Sequence, residues 1–274
     1  MKLGLINSAL AQAGRETSFG ILKTKELGFD SIDIFADPLE TGAEERALIR
    51  RTAADCGLPI ISVCCVATVL IDFNLSVQKF HLERCKAFLD FVAELGARNL
   101  LLVLGEYIWQ REVIPPEEQW DTAVRNTGIL GEYAGSRGVR IALELEPFNQ
   151  SLLNSVEEMV RFIGAVGMPG TVRANCDISH LHLVCTPFEK VASLRGLIEH
   201  VHLSDCNGRT HGDLPPGRGI TPIEEYLEAI RATGYDGAVS IELEYSPEPA
   251  KIEEWVAEAY RETDKIMQRL GCRN

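Results

Sequence analysis

The sequence predicts a single closed barrel of eight parallel strands, each followed by a helix. Three observations predict it. Short apolar runs alternate with longer amphipathic runs from end to end. Glycine recurs just beyond the amphipathic runs, as a helix end requires. The chain has 274 residues, an ordinary length for eight such units.

The elements follow in order. KLGLIN (2–7) reads as a strand, and 16–28 as a helix ending at Gly28. SIDIF (31–35) is a strand, and 42–56 a helix ending at Cys56 before Gly57. PIISVCCV (59–66) is a strand, and 75–95 a helix closed by Gly96. NLLLVLG (99–105) is a strand, and 116–137 a helix closed by Gly138. RIALELE (140–146) is a strand, and 155–166 a helix closed by Gly167. VRANCDIS (172–179) is a strand, and 187–199 a helix. HVHLSD (200–205) is a strand, and 221–233 a helix closed by Gly234. GAVSIELE (237–244) is a strand, and 249–270 a helix closed by Gly271. No composition break or long linker divides residues 1–274, so one domain is expected. An open, doubly wound sheet would place a glycine-rich turn after the first strand. INSALAQAG has no such turn.

Composition narrows the function. The formal charge of −13 argues against nucleic acid, whose binding rests on clustered Lys and Arg. Eight cysteines are present without a CxxC, several inside apolar strands, so reduced buried thiols are expected. No secretory apolar segment and no membrane-length apolar run occurs, so the expected setting is cytoplasmic.

Chemistry in this architecture belongs at the C-terminal ends of the strands. The first four strands are mostly apolar there. The later four are not: they end LELEPFN, CDISH, HVHLSD and IELE. Residues two apart on a strand share a face. Glu144 and Glu146 therefore pair, as do His200 and His202, and Glu242 and Glu244. The member nearer the strand end lies nearer the mouth, which favours Glu146, His202 and Glu244. Acids from neighbouring strands repel one another unless a cation lies among them. Carboxylates with one imidazole suit Mn²⁺, Mg²⁺ or Co²⁺; Zn²⁺ prefers more nitrogen or sulfur.

These residues together resemble a known family. D-x-x-H in CDISH, then HVHLSDCN, P-G-x-G in PPGRGI, and YDGAVSIELE are similar to the xylose isomerase-like TIM barrels. Within them the pattern resembles sugar phosphate isomerase/epimerase-type proteins, including ketose 3-epimerases and hydroxypyruvate isomerases. The likeness of pattern covers roughly residues 140–245. It implies a divalent metal, Mn²⁺ first, held by Glu146, Asp177, His202 and Glu242. Glu242 is the acid five residues after the glycine of Y-D-G, so the resemblance selects it over Glu244. It further implies a ketose or related small hydroxy-carbonyl substrate. Glu146 and Glu242 would move the proton next to the carbonyl through a metal-stabilised enediolate. His180, Asn149 and Arg209 would bind substrate. Gln150 and Leu152 stand where ketose 3-epimerases carry an Arg and a second Glu, and THGDLP lengthens the loop after strand seven.

The remaining candidates are less specific. His182 and His200 read as packing or supporting groups. Tyr107 and Trp109 follow strand four and could wall a pocket. A small sugar is the expected partner, rather than nucleic acid or a membrane, and a homo-oligomer is left open. A lyase, such as an inosose or dehydroshikimate dehydratase, would use the same site. A non-catalytic sugar- or metal-binding protein is a third reading. An apurinic endonuclease needs histidines on the early strands, and His81, on a helix, is the only histidine before His180.

Overall fold

The computed structural model describes residues 1–108, 113–244 and 246–273. Eight parallel strands close into a barrel in sequence order, β1 to β8, with β8 pairing back to β1. They are β1 Lys2–Ile6, β2 Ser31–Ile34, β3 Ile60–Val66, β4 Asn99–Val103, β5 Arg140–Leu143, β6 Val172–Asp177, β7 Ile198–Leu203 and β8 Ala238–Ile241. The helices are α1 Ser8–Gln12, α2 Thr17–Leu27, α3 Ala43–Asp55, α4 Leu75–Leu95, α5 Pro116–Ser136, α6 Val156–Val166, α7 Ile178–Leu183, α8 Ile223–Ala232 and α9 Ile252–Arg269.

Alternation along each strand sorts the side chains. On β7, Val201 and Leu203 face outward into the core between strands and helices, while His200 and His202 face the barrel interior. Ile6, Cys64, Leu101 and Ala142, from β1, β3, β4 and β5, form a separate small apolar cluster, with Phe35 against it. That side of the interior is greasy apart from Asp33 on β2, and the other is ionisable. That asymmetry is already written in the contrast between IISVCCV and HVHLSD.

The expected barrel is present, with local corrections. β5 ends at Leu143, so Glu144 and Glu146 lie in the irregular segment beyond it. β6 ends at Asp177, and Ile178–Leu183 is a short helix rather than the end of a strand. Asp177 causes the break, because its Oδ1 accepts the backbone N–H of His180 at 2.8 Å and caps that helix. The helix expected over 187–199 is a 3-10 turn, Phe188–Leu194, and Gly196 with φ of 76° ends it. β7 therefore starts two residues earlier than expected, at Ile198, which pairs with Ala174. The last helix starts at Ile252, after a 3-10 turn over Pro249–Lys251. α1, just beyond β1, was not foreseen; five residues are too few to show a helical period.

At the N-terminal end of the barrel, buried Glu199 meets three arginines: Arg98 at 2.7 Å, Arg140 at 2.9 Å and Arg173 at 3.1 Å. Charge at this end locks strands together, whereas charge at the other end is left with open valences. All eight cysteines are free thiols, as expected for reduced sulfur. Among the described residues no helix is long and apolar enough to cross a membrane.

Candidate active site

A cavity of about 220 Å³ opens at the C-terminal ends of the strands. Ile6, Phe35, Cys64, Leu101 and Val103 form one wall. Glu144, Glu146, Glu242, Glu244, His180 and His211 form the facing one. Two glycine positions shape the approach. Gly105, two residues beyond β4, has a φ of 121°, and a Cβ there would strike the carbonyl of Thr68. Gly219, the last glycine of P-G-x-G, passes so close to Cys206 and Asp205 that any side chain would collide with them.

Three of the residues implied as ligands converge. One oxygen or nitrogen each from Asp177, His202 and Glu242 lies within 4.8 Å of the others. β6 and β7 pair Asp177 with His202 directly, and His202 is opposite Ser240, two residues before Glu242. His202 Nδ1 is 3.3 Å from Glu242 Oε2 and 3.8 Å from Glu144 Oε2. Glu146, the fourth, stands higher on the same wall and lines the cavity. Glu244 also lines the cavity but is not part of the cluster; Ser8 and Gln12 beside it favour its charged form against burial. Depth along the strand had favoured Glu244. The cluster is instead built by the deeper Glu242, which lies two residues beyond Ser240, the residue opposite His202.

The cluster fits a cation. Among the described residues, Asp177 Oδ2 and both ring nitrogens of His202 are buried with no hydrogen-bond partner. Asp177 Oδ2 and the His202 nitrogen that faces Glu242 converge with the Glu242 carboxylate, and unpartnered buried donor atoms that converge are what a bound ion satisfies. The donor set of carboxylates and one imidazole suits a hard or intermediate divalent ion.

Electrostatics at the wall are tightly coupled. Burial pushes Glu146 up to about 7; His180 opposes this, and Glu144, Glu242 and Asp177 add to it by repulsion. Burial and the nearby Glu242 push Glu244 up to about 7 as well. Burial also disfavours a charged Asp177, yet His180 and His202 beside it hold its carboxyl below the usual range. Burial disfavours protonated His202, but Glu242 and Asp33 override it and raise the imidazole well above its ordinary value. A cation here would replace those protons.

His180 lines the cavity with one nitrogen already committed. Its Nδ1 donates to the Leu145 carbonyl at 2.6 Å, leaving Nε2 facing His211 Nε2 and the cavity. Asn149 and Arg209 are exposed and do not line the cavity. Phe148 and Ser151 line it from the Asn149 segment. Arg209 is carried outward because Asn207 Oδ1 accepts the N–H groups of Arg209 and Thr210, turning the chain. His211, two residues further on, comes back to the cavity. Tyr107 is buried beside the site, and Trp109 lies outside the described residues.

Sequence reading missed Asp33. It is fully buried on β2, across the barrel, and its Oδ2 accepts a hydrogen bond from His200 Nε2 at 2.8 Å. Burial disfavours its charge, but the adjoining His200 and His202 hold it below the usual carboxylate range. The signal was present: SIDIF is apolar except for Ser31 and one acid. Asn175 was missed too. It donates to Glu144 Oε2 at 2.8 Å and fixes that carboxylate beneath Glu146.

A family model for the xylose isomerase-like TIM barrel matches residues 21–265. The chain belongs to that family. Its curated relatives include the fructoselysine 3-epimerase of Escherichia coli O157:H7, 25% identical over 260 residues, spanning 89% of this chain and 90% of the relative. The D-psicose 3-epimerase of Ruminiclostridium cellulolyticum is 26% identical over 231 residues, spanning 81% and 76%. Among solved structures, the D-psicose 3-epimerase of Clostridium cellulolyticum H10 with D-tagatose superposes over 100% of both chains, with a TM-score of 0.82 at 22% identity. The IOLI protein with a bound zinc atom superposes over 98% of this chain and 99% of its own, with a TM-score of 0.84 at 19% identity. The structural likenesses carry the fold. The curated sequence relatives with an assigned activity are epimerases and isomerases.

Proposed function

We propose that this protein is a divalent-metal-dependent sugar isomerase or epimerase that moves a proton next to a carbonyl. The observation that carries the reading is the convergence of Asp177, His202 and Glu242 within 4.8 Å, with Glu146 above them on the same cavity wall. Names of relatives agree with it: epimerases acting on fructoselysine and D-psicose, and an inosose isomerase of Bacillus velezensis.

Asp177, His202, Glu242 and Glu146 would hold the cation, with Mn²⁺ the best match to their donors. When bound, it supplies Lewis acidity at the carbonyl oxygen and neighbouring hydroxyl oxygen of the sugar. The chain's own groups do the proton work. One of Glu146 and Glu242 takes the proton from the carbon beside the carbonyl, and that carbon's electron pair enters the enediolate double bond. The other glutamate returns a proton. Return to the same carbon from the opposite face gives an epimer; return to the adjacent carbon gives an isomer. A carboxyl held near 7, as Glu146 is in the ion-free chain, both accepts and releases a proton at neutral pH. His180 presents Nε2 to a substrate oxygen, because Nδ1 is fixed by Leu145. The apolar wall of Phe35, Leu101 and Val103 keeps bulk water from the reacting carbon.

The test is a panel of ketohexoses and ketopentoses incubated with chelator-treated protein, before and after Mn²⁺ is restored. Products are separated by chromatography. The reading expects an epimer or aldose that appears only with the ion. Turnover indifferent to the chelator contradicts it, as does a product lacking the elements of water, which would mark a lyase.

A further inference from the structure

His202 can serve the site only if its ring holds one orientation. An imidazole has two tautomers and two ring faces, and only one combination offers a lone pair to the cavity. Within the barrel, Nδ1 points toward Glu242 and Nε2 points the other way, 3.7 Å from Asp33 Oδ2. Asp33 is itself fixed by the 2.8 Å hydrogen bond from His200 Nε2. The His200 ring stands edge-on to that of His202, with centroids 5.0 Å apart and planes at 81°. The side chains of Asp33, His200 and His202 are all fully buried. A carboxylate so deep destabilises the fold unless it serves as a partner.

Resting on the proposed reading of the site, we infer that Asp33 and His200 are a positioning pair for His202. Asp33 faces Nε2 and keeps the proton there, so that Nδ1 is presented bare to Asp177 and Glu242. His200 prevents Asp33 from turning away and buttresses the ring of His202 from below. The arrangement joins β2 to β7 across the barrel. The supporting side chains reach neither the substrate cavity nor the reacting atoms. Carboxylates placed behind a ligating imidazole raise its basicity and fix its tautomer, and their loss weakens ion binding.

The experiment is equilibrium dialysis of the chelator-stripped chain against Mn²⁺ and Co²⁺, together with the visible spectrum of the Co²⁺ form. Wild type, Asp33→Asn, His200→Leu and His200→Gln are compared. One ion per wild-type chain is expected. Asp33→Asn and His200→Leu should weaken binding about 10–100-fold and alter the Co²⁺ bands. His200→Gln keeps an N–H facing Asp33 and should recover most of the affinity. Melting of the ion-free proteins is followed in parallel. If Asp33→Asn does not fold, the two His200 variants decide. Variants that melt lower but bind Mn²⁺ as tightly as wild type overturn the inference, because the pair would then be packing alone. Equal binding by the Leu and Gln variants overturns the buttressing role. Two ions per wild-type chain overturn it also, making Asp33 and His200 ligands in their own right. A wild-type chain that binds no divalent ion sinks the reading of the whole site, which is a distinct result.

Discussion

Asp177 uses its two oxygens differently: Oδ1 accepts the His180 backbone N–H at 2.8 Å, and Oδ2, fully buried, has no hydrogen-bond partner among the described residues. The Ser179 hydroxyl also donates to Oδ1, at 2.8 Å. The cap locks the carboxylate, and the lock aims the free oxygen at His202 and Glu242. The D-x-x-H motif is therefore a device for orientation as well as a source of ligands.

Asp177→Asn should separate the two roles. Asn is as good a helix cap as Asp, so α7 stays and the thermal midpoint should move by no more than about 2–4 °C, the shift that ~1 kcal/mol produces in a chain near this size. The amide places an N–H where the cation needs an oxygen. Chelator-sensitive turnover should disappear. Circular dichroism melting and a turnover assay check the pair of outcomes, and full activity in a folded variant contradicts the assignment.

Glu242 and Glu244 differ in what they touch, so Glu→Gln should affect them unequally. Glu242→Gln keeps an oxygen for the ion but cannot accept a carbon-bound proton. Turnover should fall by about two to four decades, with a smaller change in KM. Glu244→Gln leaves the cluster of Asp177, His202 and Glu242 intact, so its loss should be less than about tenfold, on the scale of a single hydrogen bond. The reverse ranking, read from kcat, would return the role to Glu244.

Stability of the ion-free chain should fall as pH rises through neutrality. Glu146 and Glu244 have folded-state values raised to about 7. Their contribution is full below the ordinary carboxylate value of 4.5 and is lost as pH rises through about 7. His180 and His202, raised well above 6.5, add in the same sense and lose their contribution as pH passes their raised values. Asp33 and Asp177 are lowered, so their contribution is lost only on going more acid, outside this window. Mn²⁺ should reverse the trend, since its ligands bind it best when unprotonated. Melting at about pH 5 and about pH 8, with and without Mn²⁺, reads the sign. An ion-free chain more stable at the higher pH contradicts it.

Asp205 is expected to govern the loop that brings His211 to the cavity. Its carboxylate accepts four backbone N–H groups: Cys206 at 2.8 Å, Gly217 at 2.9 Å, Gly219 at 2.8 Å and Thr221 at 2.9 Å. Asp205→Ala should destabilise the fold by about 3 kcal/mol or more, as the loss of several charge-assisted bonds implies. Limited proteolysis should then cut within 206–221, where wild type resists. A protected loop in the folded variant contradicts this role.

Much of the barrel was legible because its strands are buried on both faces and separated by glycine-capped helices. Those features are local, and composition alone carries them. The ends of strands were less legible. At Asp177 a side-chain cap overrides the apolar run, so Ile178 and Ser179 read as the end of the strand and instead open a helix. The choice between Glu242 and Glu244 was not readable from depth, because it depends on which acid reaches Asp177 and His202 on the neighbouring strands. Asp33 stood out as an acid in an apolar strand, but its role was not readable, for a different reason. Its partners, His200 and His202, lie more than 160 residues away in the chain, with a separation of 167 for the hydrogen-bonded pair. No window along the sequence joins them. Asn149 and Arg209 matched a pattern in order, yet a turn at Asn207 sends Arg209 outward and leaves His211 in its place.

The central claim is that Glu146 and Glu242 exchange a carbon-bound proton beside a carbonyl with the help of a divalent ion. Incubation with a turned-over ketose in deuterium oxide, read by proton NMR, tests it most directly. The account predicts deuterium at the carbon beside the carbonyl in the product. It predicts loss of that exchange on chelation and in Glu146→Gln and Glu242→Gln. Product formed with no label, by a chelator-treated chain or a Glu242→Gln variant working at the wild-type rate, would contradict it.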